Sequence, residues 1–245
     1  MSPACRSLAA WLLACLPLLA QATPVQFTDY RDFYQSLGGN LFMGPGAELA
    51  MPCAESPRHC IWVTSMRQAL RRYDQSLWTL PGGLAMKPPK GVPDIAFDGH
   101  ALTVGKQRWP LRSVTNLAPP EWRGGEPIDP ENLSQVTAWR QGSSVCLEMR
   151  YKGNGKSGRY AEVLVLHRQR LYALPGLFAS CAAIRKVPQN QFSYPDNAYL
   201  GAALEDNPTG LRMDYLLSDG KTRVARYLLR FPNPGNPYVF ESERR

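Results

Sequence analysis

The second half of the chain alternates apolar and polar residues, and this limits the fold more than any other feature. SQVTAWRQ (134–141), SVCLEMRY (144–151), RYAEVLVLH (159–167) and RLYALPG (170–176) follow one another with turn residues between them. AYLGAALED, LRMDYLL and TRVARYLLRF continue the pattern as a meander. The turns Asn207-Pro208-Thr209-Gly210 and Ser218-Asp219-Gly220-Lys221 punctuate it. Successive side chains on a strand point to opposite faces, so these segments belong in sheets with a buried face. Leu211, Met213, Tyr215 and Leu217 fall on one face of their strand. Ala225, Tyr227, Leu229 and Phe231 do the same on theirs, with Arg226 and Arg230 opposite. The final PNPGNPYVFESERR reads as extended or loose.

The first half is mixed. TDYRDFYQSLGG reads as a short helix capped by Thr28 and ended by Gly38, with Tyr30, Phe33, Tyr34 and Leu37 at helical spacing. In TSMRQALRRYDQSLWTL, Met66, Ala69, Leu70, Tyr73 and Leu77 form an apolar stripe, which predicts a second helix ended at Pro81-Gly82-Gly83. AELAMPCAESPRHCIWVT reads as two strands around a loop. IAFDGHALTVGKQRWPL reads as a hairpin turning at Asp98-Gly99. The expected class is therefore α+β and β-rich, with two short N-terminal helices, an antiparallel C-terminal β-meander and two disulfides. The 22 Pro and 20 Gly agree with a turn-rich fold. APPEWRGGEPIDPEN (118–132) is a long Pro-rich segment, a type of loop that is uncommon in compact domains and often functional. A single domain over 23–245, or two lobes (23–117 and 133–245) joined by 118–132, both fit.

Residues 1–22 have the layout of a secretory signal peptide. Arg6 precedes an apolar run from Leu8 to Ala20, and Ala20-Gln21-Ala22 supplies a small-residue exit. Lipidation at Cys15 ranks below simple cleavage, because the apolar run continues past that residue. No later segment is apolar for long enough to form a membrane helix. The expected location is the periplasm. The formal charge of +8 falls to +7 when Arg6 leaves with the signal, and a basic exported chain points to an anionic neighbour. Export argues against nucleic acid. Contact with an anionic envelope surface, a wall polymer or an acidic protein partner fits better.

Loss of the signal leaves Cys53, Cys60, Cys146 and Cys181. An even count in an exported chain predicts disulfides, and the nearer pairs in sequence are Cys53–Cys60 and Cys146–Cys181. No CxxC spacing exists, and His59, His100 and His167 are scattered, so no metal and no cofactor is expected.

GNGKSG (153–158) resembles the end of a phosphate-binding loop. That loop needs a glycine at position 150, which is Arg150, and a helix after it, where RYAEVLVLH alternates as a strand. The stretch reads instead as a hairpin tip carrying Lys152, Lys156 and Arg159, with no nucleotide site. No G-x-S-x-G elbow and no zinc-hydrolase motif occurs. A His-based site such as Asp98 with His100, or carboxylates from Glu121, Glu126, Asp129 and Glu131, keeps an envelope hydrolase open as an alternative. Trp62, Trp78 and Trp139 sit in apolar patterns and read as core. Trp122, beside Arg123 on the long loop, is the kind of anchor that interfaces use.

The expectation is a periplasmic non-catalytic protein that binds another macromolecule. One version is an inhibitor or immunity protein against an envelope-targeting enzyme. The candidate interface is Trp122, Arg123, Glu126, Lys152, Lys156 and Arg159. The alternatives are a hydrolase of wall polymer or lipid and a structural accessory of an envelope assembly.

Overall fold

The structure, a computed structural model, describes residues 25–43, 47–48, 62–63, 95–119, 125–129, 132–153, 155–202 and 206–244. The predicted signal segment, the predicted helix over 64–80, Cys53, Cys60, Trp78, Trp122 and Arg123 lie outside these residues.

The chain opens with strand β1 (Val25–Phe27) and helix α1 (Tyr30–Ser36). The cap of α1 is Asp29 rather than Thr28. Asp29 is the last residue with extended backbone, and its carboxylate accepts the Arg31 amide at 2.5 Å. Tyr30, Phe33 and Tyr34 form the buried face, and Gly38, at φ +68°, follows the end of the helix. Next come β2 (Ala47–Glu48), β3 (Trp62–Val63), β4 (Ile95–Phe97), β5 (Ala101–Val104), β6 (Gln107–Pro110) and β7 (Thr115–Asn116). The predicted hairpin is β4–β5, with Phe97 opposite Leu102. Its turn is built by Asp98, whose Oδ1 accepts the His100 and Ala101 amides at 2.9 and 2.8 Å.

The alternating half forms β8 (Leu133–Gln141), β9 (Ser144–Tyr151), β10 (Glu162–His167), β11 (Arg170–Ala173), β12 (Arg185–Val187), β13 (Gln191–Leu200), β14 (Gly210–Leu217), β15 (Arg223–Arg230) and β16 (Phe240–Arg244). The tail is thus extended only over Phe240–Arg244, and the residues before it, 232–239, form turns and bends. β16 sits between β1 and β15, and Phe240 is fully buried. A sequence rich in Pro and Asn gives little strand signal until Phe240, so the pairing there comes from tertiary packing.

Three sheets result. The C-terminal sheet has the order β1-β16-β15-β14-β13-β12, the central sheet β2-β8-β9-β10-β11-β7 and the N-terminal sheet β3-β4-β5-β6. Among the described residues, the strand pairs are antiparallel except β11 with β7. The fold is therefore β-rich, with one α-helix and one disulfide, Cys146–Cys181, among the described residues.

Period-two alternation sorts the core into layers. Val136, Ala138, Val145, Leu147, Met149, Leu164 and Leu166 face the N-terminal sheet, meeting Ile95, Phe97 and Leu102. The other face of the central sheet carries Trp139, Cys146, Val163, Val165, Tyr172 and Leu174. It packs on Phe192 and Tyr194 of the C-terminal sheet. The far face of the C-terminal sheet, with Leu211, Met213, Tyr215, Tyr227, Leu229 and Phe240, packs on α1. Among the described residues, no helix is long and apolar enough to cross a membrane.

Candidate functional site

The central sheet turns polar along one of its buried faces. On β9, Cys146, Glu148 and Arg150 point the same way, because they are two residues apart. On β8 the matching residues are Trp139, Thr137 and Gln135, paired with Cys146, Glu148 and Arg150 respectively. The first pair lies in the apolar layer against the C-terminal sheet. The next two pairs border a cavity of about 520 Å³. Its walls are residues 28–31 at the start of α1, Gly158 and Arg159 from the β9–β10 loop, Phe178–Ser180 and Tyr238.

Glu148 is the buried carboxylate of this cleft, 8% exposed. Its Oε1 accepts Arg150 Nε and Nη2 at 3.1 and 2.6 Å. Its Oε2 accepts the Ser180 hydroxyl at 2.9 Å and the Cys181 amide at 3.1 Å. Ser180 is positioned for this by its own extended backbone, and its oxygen also accepts the Ala182 amide at 3.2 Å. The Cys146–Cys181 disulfide crosslinks the strand that carries Glu148 to the turn that binds it. Both oxygens are occupied by protein donors, so Glu148 could take a substrate proton only by giving one of them up.

Phe178 marks the opposite wall. Its backbone has φ +48°, an uncommon conformation for a bulky residue. It is held from both sides. Its amide donates to the Arg159 carbonyl at 2.6 Å, and its carbonyl accepts the Tyr34 hydroxyl at 2.8 Å. Its ring stacks on Tyr30 with centroids 4.1 Å apart. Strain of this kind collects at functional sites, where the surroundings over-determine it. Burial pushes the Tyr34 hydroxyl above the usual phenol range, and the nearby Glu148 charge raises it further.

The structure separates the residues that the sequence grouped. Arg159 is not a projecting tip residue. It is 9% exposed and lines the cleft, with Nη1 donating to the Tyr199 hydroxyl at 3.3 Å and its guanidinium carbon 5.8 Å from that ring's centroid. The reason is the short 3-10 turn over Gly155–Arg159, which folds the end of the loop back onto the sheet. Lys152 and Lys156 stay exposed, and Lys156 pairs with Asp206. The stretch remains a connection between two antiparallel strands, and Gly153 (φ +142°) and Gly155 (φ +63°) supply backbone angles that other residues avoid. Glu126 borders a smaller cavity of about 130 Å³ on the other face of the central sheet, with Tyr151, Glu162 and Leu164. Glu126 and Arg159 therefore do not share a site. Trp139 is buried as expected and also lines the cleft. Asp98 does not pair with the His100 ring. Beyond the turn amides, its Oδ2 accepts Arg108 Nη1 at 2.6 Å. Burial pushes its carboxyl up, but the Arg108 and backbone donors outweigh that and hold it below the usual value.

His167 has a partner that the sequence did not suggest. Its Nδ1 lies 2.8 Å from the Ser144 hydroxyl and its Nε2 lies 2.8 Å from the Asn190 carbonyl. A carbonyl only accepts, so Nε2 carries the hydrogen and Ser144 donates to Nδ1. A hydroxyl on an imidazole is how a nucleophile is activated. Ser144, however, is 6% exposed, and the imidazole meets Phe192 edge-on at 5.6 Å. The geometry makes this pair a clasp between two neighbouring turns. Among the described residues, no three His, Cys, Asp or Glu converge as metal ligands would.

Glu148, Arg150, Gln135, Thr137, Ser180, Arg31 and Tyr238 did not stand out in the sequence. A usable signal was present for two of them. In SVCLEMRY, Glu148 and Arg150 share the face of Cys146, and a charge pair on a half-cystine's face is a polar group headed inward. No protein-family model matches the chain, and neither a curated protein nor a solved structure matches it.

Proposed function

We propose that the chain is an exported, non-catalytic protein of the cell envelope that binds another macromolecule through the cleft between the central sheet and the start of α1. The observation that carries this reading is the state of Glu148. The buried carboxylate of the cleft is locked by four protein donors and stapled by a disulfide. Such an arrangement suits a rigid recognition surface better than proton transfer. Arg31, Arg150 and Arg159 lining the same space favour an anionic group on the partner, in keeping with the basic charge of the chain. The inhibitor or immunity version of this reading leans on Trp122 and Arg123, which lie outside the described residues.

The test is affinity capture of envelope material on the immobilised oxidised protein, run beside an Arg31→Ala, Tyr238→Ala double variant. The expected outcome is a stoichiometric macromolecule retained by the wild type and lost by the variant. Equal retention by both would place binding elsewhere. Turnover of wall polymer or lipid by the wild type would favour the hydrolase alternative.

A further inference from the structure

We propose that the group received by this cleft is a carboxylate-bearing sugar, of the hexuronic-acid kind, within an envelope polymer. The inference rests on the reading of the cleft as the binding site. Three arginines from three different elements line the cavity: Arg31 from α1, Arg150 from β9 and Arg159 from the β9–β10 loop. Two of them are pre-oriented, Arg150 by Glu148 and Arg159 by Tyr199, so little side-chain freedom is lost when an anion binds. Arg150 gives its Nε hydrogen and one Nη2 hydrogen to Glu148, which leaves Nη1 and the second Nη2 hydrogen to donate to a ligand.

The opposing carboxylates are both engaged. Asp29 caps α1 through the Arg31 amide, and Glu148 holds its four donors. The described lining therefore carries one net positive charge, which matches a monoanion better than a polyphosphate. The other lining groups suit a sugar. Thr137 and Gln135 lie two residues apart on β8 and can meet hydroxyls along one ring edge. Tyr238, 41% exposed and one of the few large apolar side chains so exposed among the described residues, stands at the wall, packed edge-on against Phe178 with centroids 5.9 Å apart. An aromatic face beside convergent polar groups is the usual make-up of a small-ligand site, and about 520 Å³ lies within the common range of about 300–1,000 Å³.

The experiment is calorimetric titration of the oxidised protein with trigalacturonic acid. Maltotriose serves as the neutral match, and inorganic phosphate and a hexaglutamate peptide as other anions. The expected result is binding of trigalacturonic acid at least about tenfold tighter than each of the other three. Arg31→Ala should weaken it about tenfold with an unchanged melting temperature, since that side chain is exposed, and Tyr238→Ala should weaken it about tenfold in protein that remains folded, with a lower melting temperature from the lost Phe178 contact. Equal affinity for maltotriose, or no saccharide binding at all, overturns the proposal. Tighter binding of the peptide also overturns it but keeps the cleft as a binding site, now for an acidic protein. Retention of envelope material that ignores both substitutions would instead sink the broader reading.

Discussion

One face of β8 and β9 has two ends, and they differ. At one end Trp139 and Cys146 are covered by Phe192 and Tyr194, and the space is filled with apolar side chains. At the other end Thr137, Gln135, Glu148 and Arg150 border an open cavity. The same two strands run through both ends, and their register holds from Gln141 to Gln135, shifting only at a bulge between Leu133 and Gln135 at the edge of the open end. What changes is whether the second sheet lies against the face. The disulfide sits at the seam, with Cys146 in the apolar layer and the Cys181 amide on Glu148. Stability should therefore concentrate at the closed end and recognition at the open one.

The strongest way to break that division is to damage the closed end. Phe192 is fully buried, meets Tyr172 edge-on and carries the contact between sheets. Phe192→Ala should cost about 4 kcal/mol of stability, read from denaturant unfolding. The fraction that remains folded should bind with wild-type affinity. A loss of affinity well beyond the loss of folded protein would show that the two ends are not separable. Replacing both Cys146 and Cys181 by Ala tests the seam. The bridge spans 35 residues, for which loop-closure entropy gives about 4 kcal/mol. Here stability and binding should fall together, because only the hydrogen bonds to Glu148 would then hold the 180–181 turn to β9.

How much of this was legible follows from the same contrast. Strands β8 to β11, β14 and β15 could be read because alternation and turn residues are local signals, whereas β12 and most of β13 (Gln191–Leu200) could not, and the predicted strand AYLGAALED overlaps β13 only at Ala198–Leu200. The division of each strand into two faces was equally plain, and Leu211, Met213 and Tyr215 are fully buried on one of them. The extent to which a face is covered is not local. It depends on where another sheet ends, and the pattern in SVCLEMRY stays regular across the change. Arg159 shows the same limit. Its charge and glycine-rich neighbours read as a solvated tip, and only the 3-10 turn, fixed by tertiary contacts such as Phe178 N to Arg159 O, turns it inward. The tail is a third case, since Phe240 finds its place only when β1 and β15 are both present.

A smaller effect is expected from Glu148→Gln. The change keeps the size of the side chain but weakens the contacts with Arg150 and puts a donor against the Ser180 hydroxyl or the Cys181 amide. A loss of about 2 kcal/mol is expected, given that Arg150 is partly exposed. Affinity should fall as well, because Arg150 loses its orientation. Stability loss with intact affinity would mean that Arg150 does not contact the ligand.

The C-terminal sheet offers the same lesson in a place open to pH. Leu216 packs toward the middle layer, and two residues along the same face Asp214 meets Arg226 through bonds of 2.6 and 2.8 Å, with Arg212 and Arg223 nearby. The Arg226 hydrogen bonds above all hold the Asp214 carboxyl below its usual value, although burial opposes them. A depressed folded-state value means that this stabilisation is present above the unfolded value near 4 and is lost as pH falls through the folded one. The wild type should therefore lose more melting temperature than Asp214→Asn on acidification below about pH 4. Parallel curves would show that the cluster adds nothing to folding.

The smallest effect is expected at the loop between β9 and β10. Lys156 and Asp206 are paired, but their side chains are 55% and 74% exposed, and water competes for both. Lys156→Ala should leave the melting temperature unchanged within error, at low and at high salt. It should also leave binding unchanged, because Lys156 does not line the cleft as Arg159 does. A drop in affinity with unaltered stability would move the recognition surface outward, onto the loop itself. The contrast between the two ends of the sheet would then explain how the molecule is held together but not what it binds.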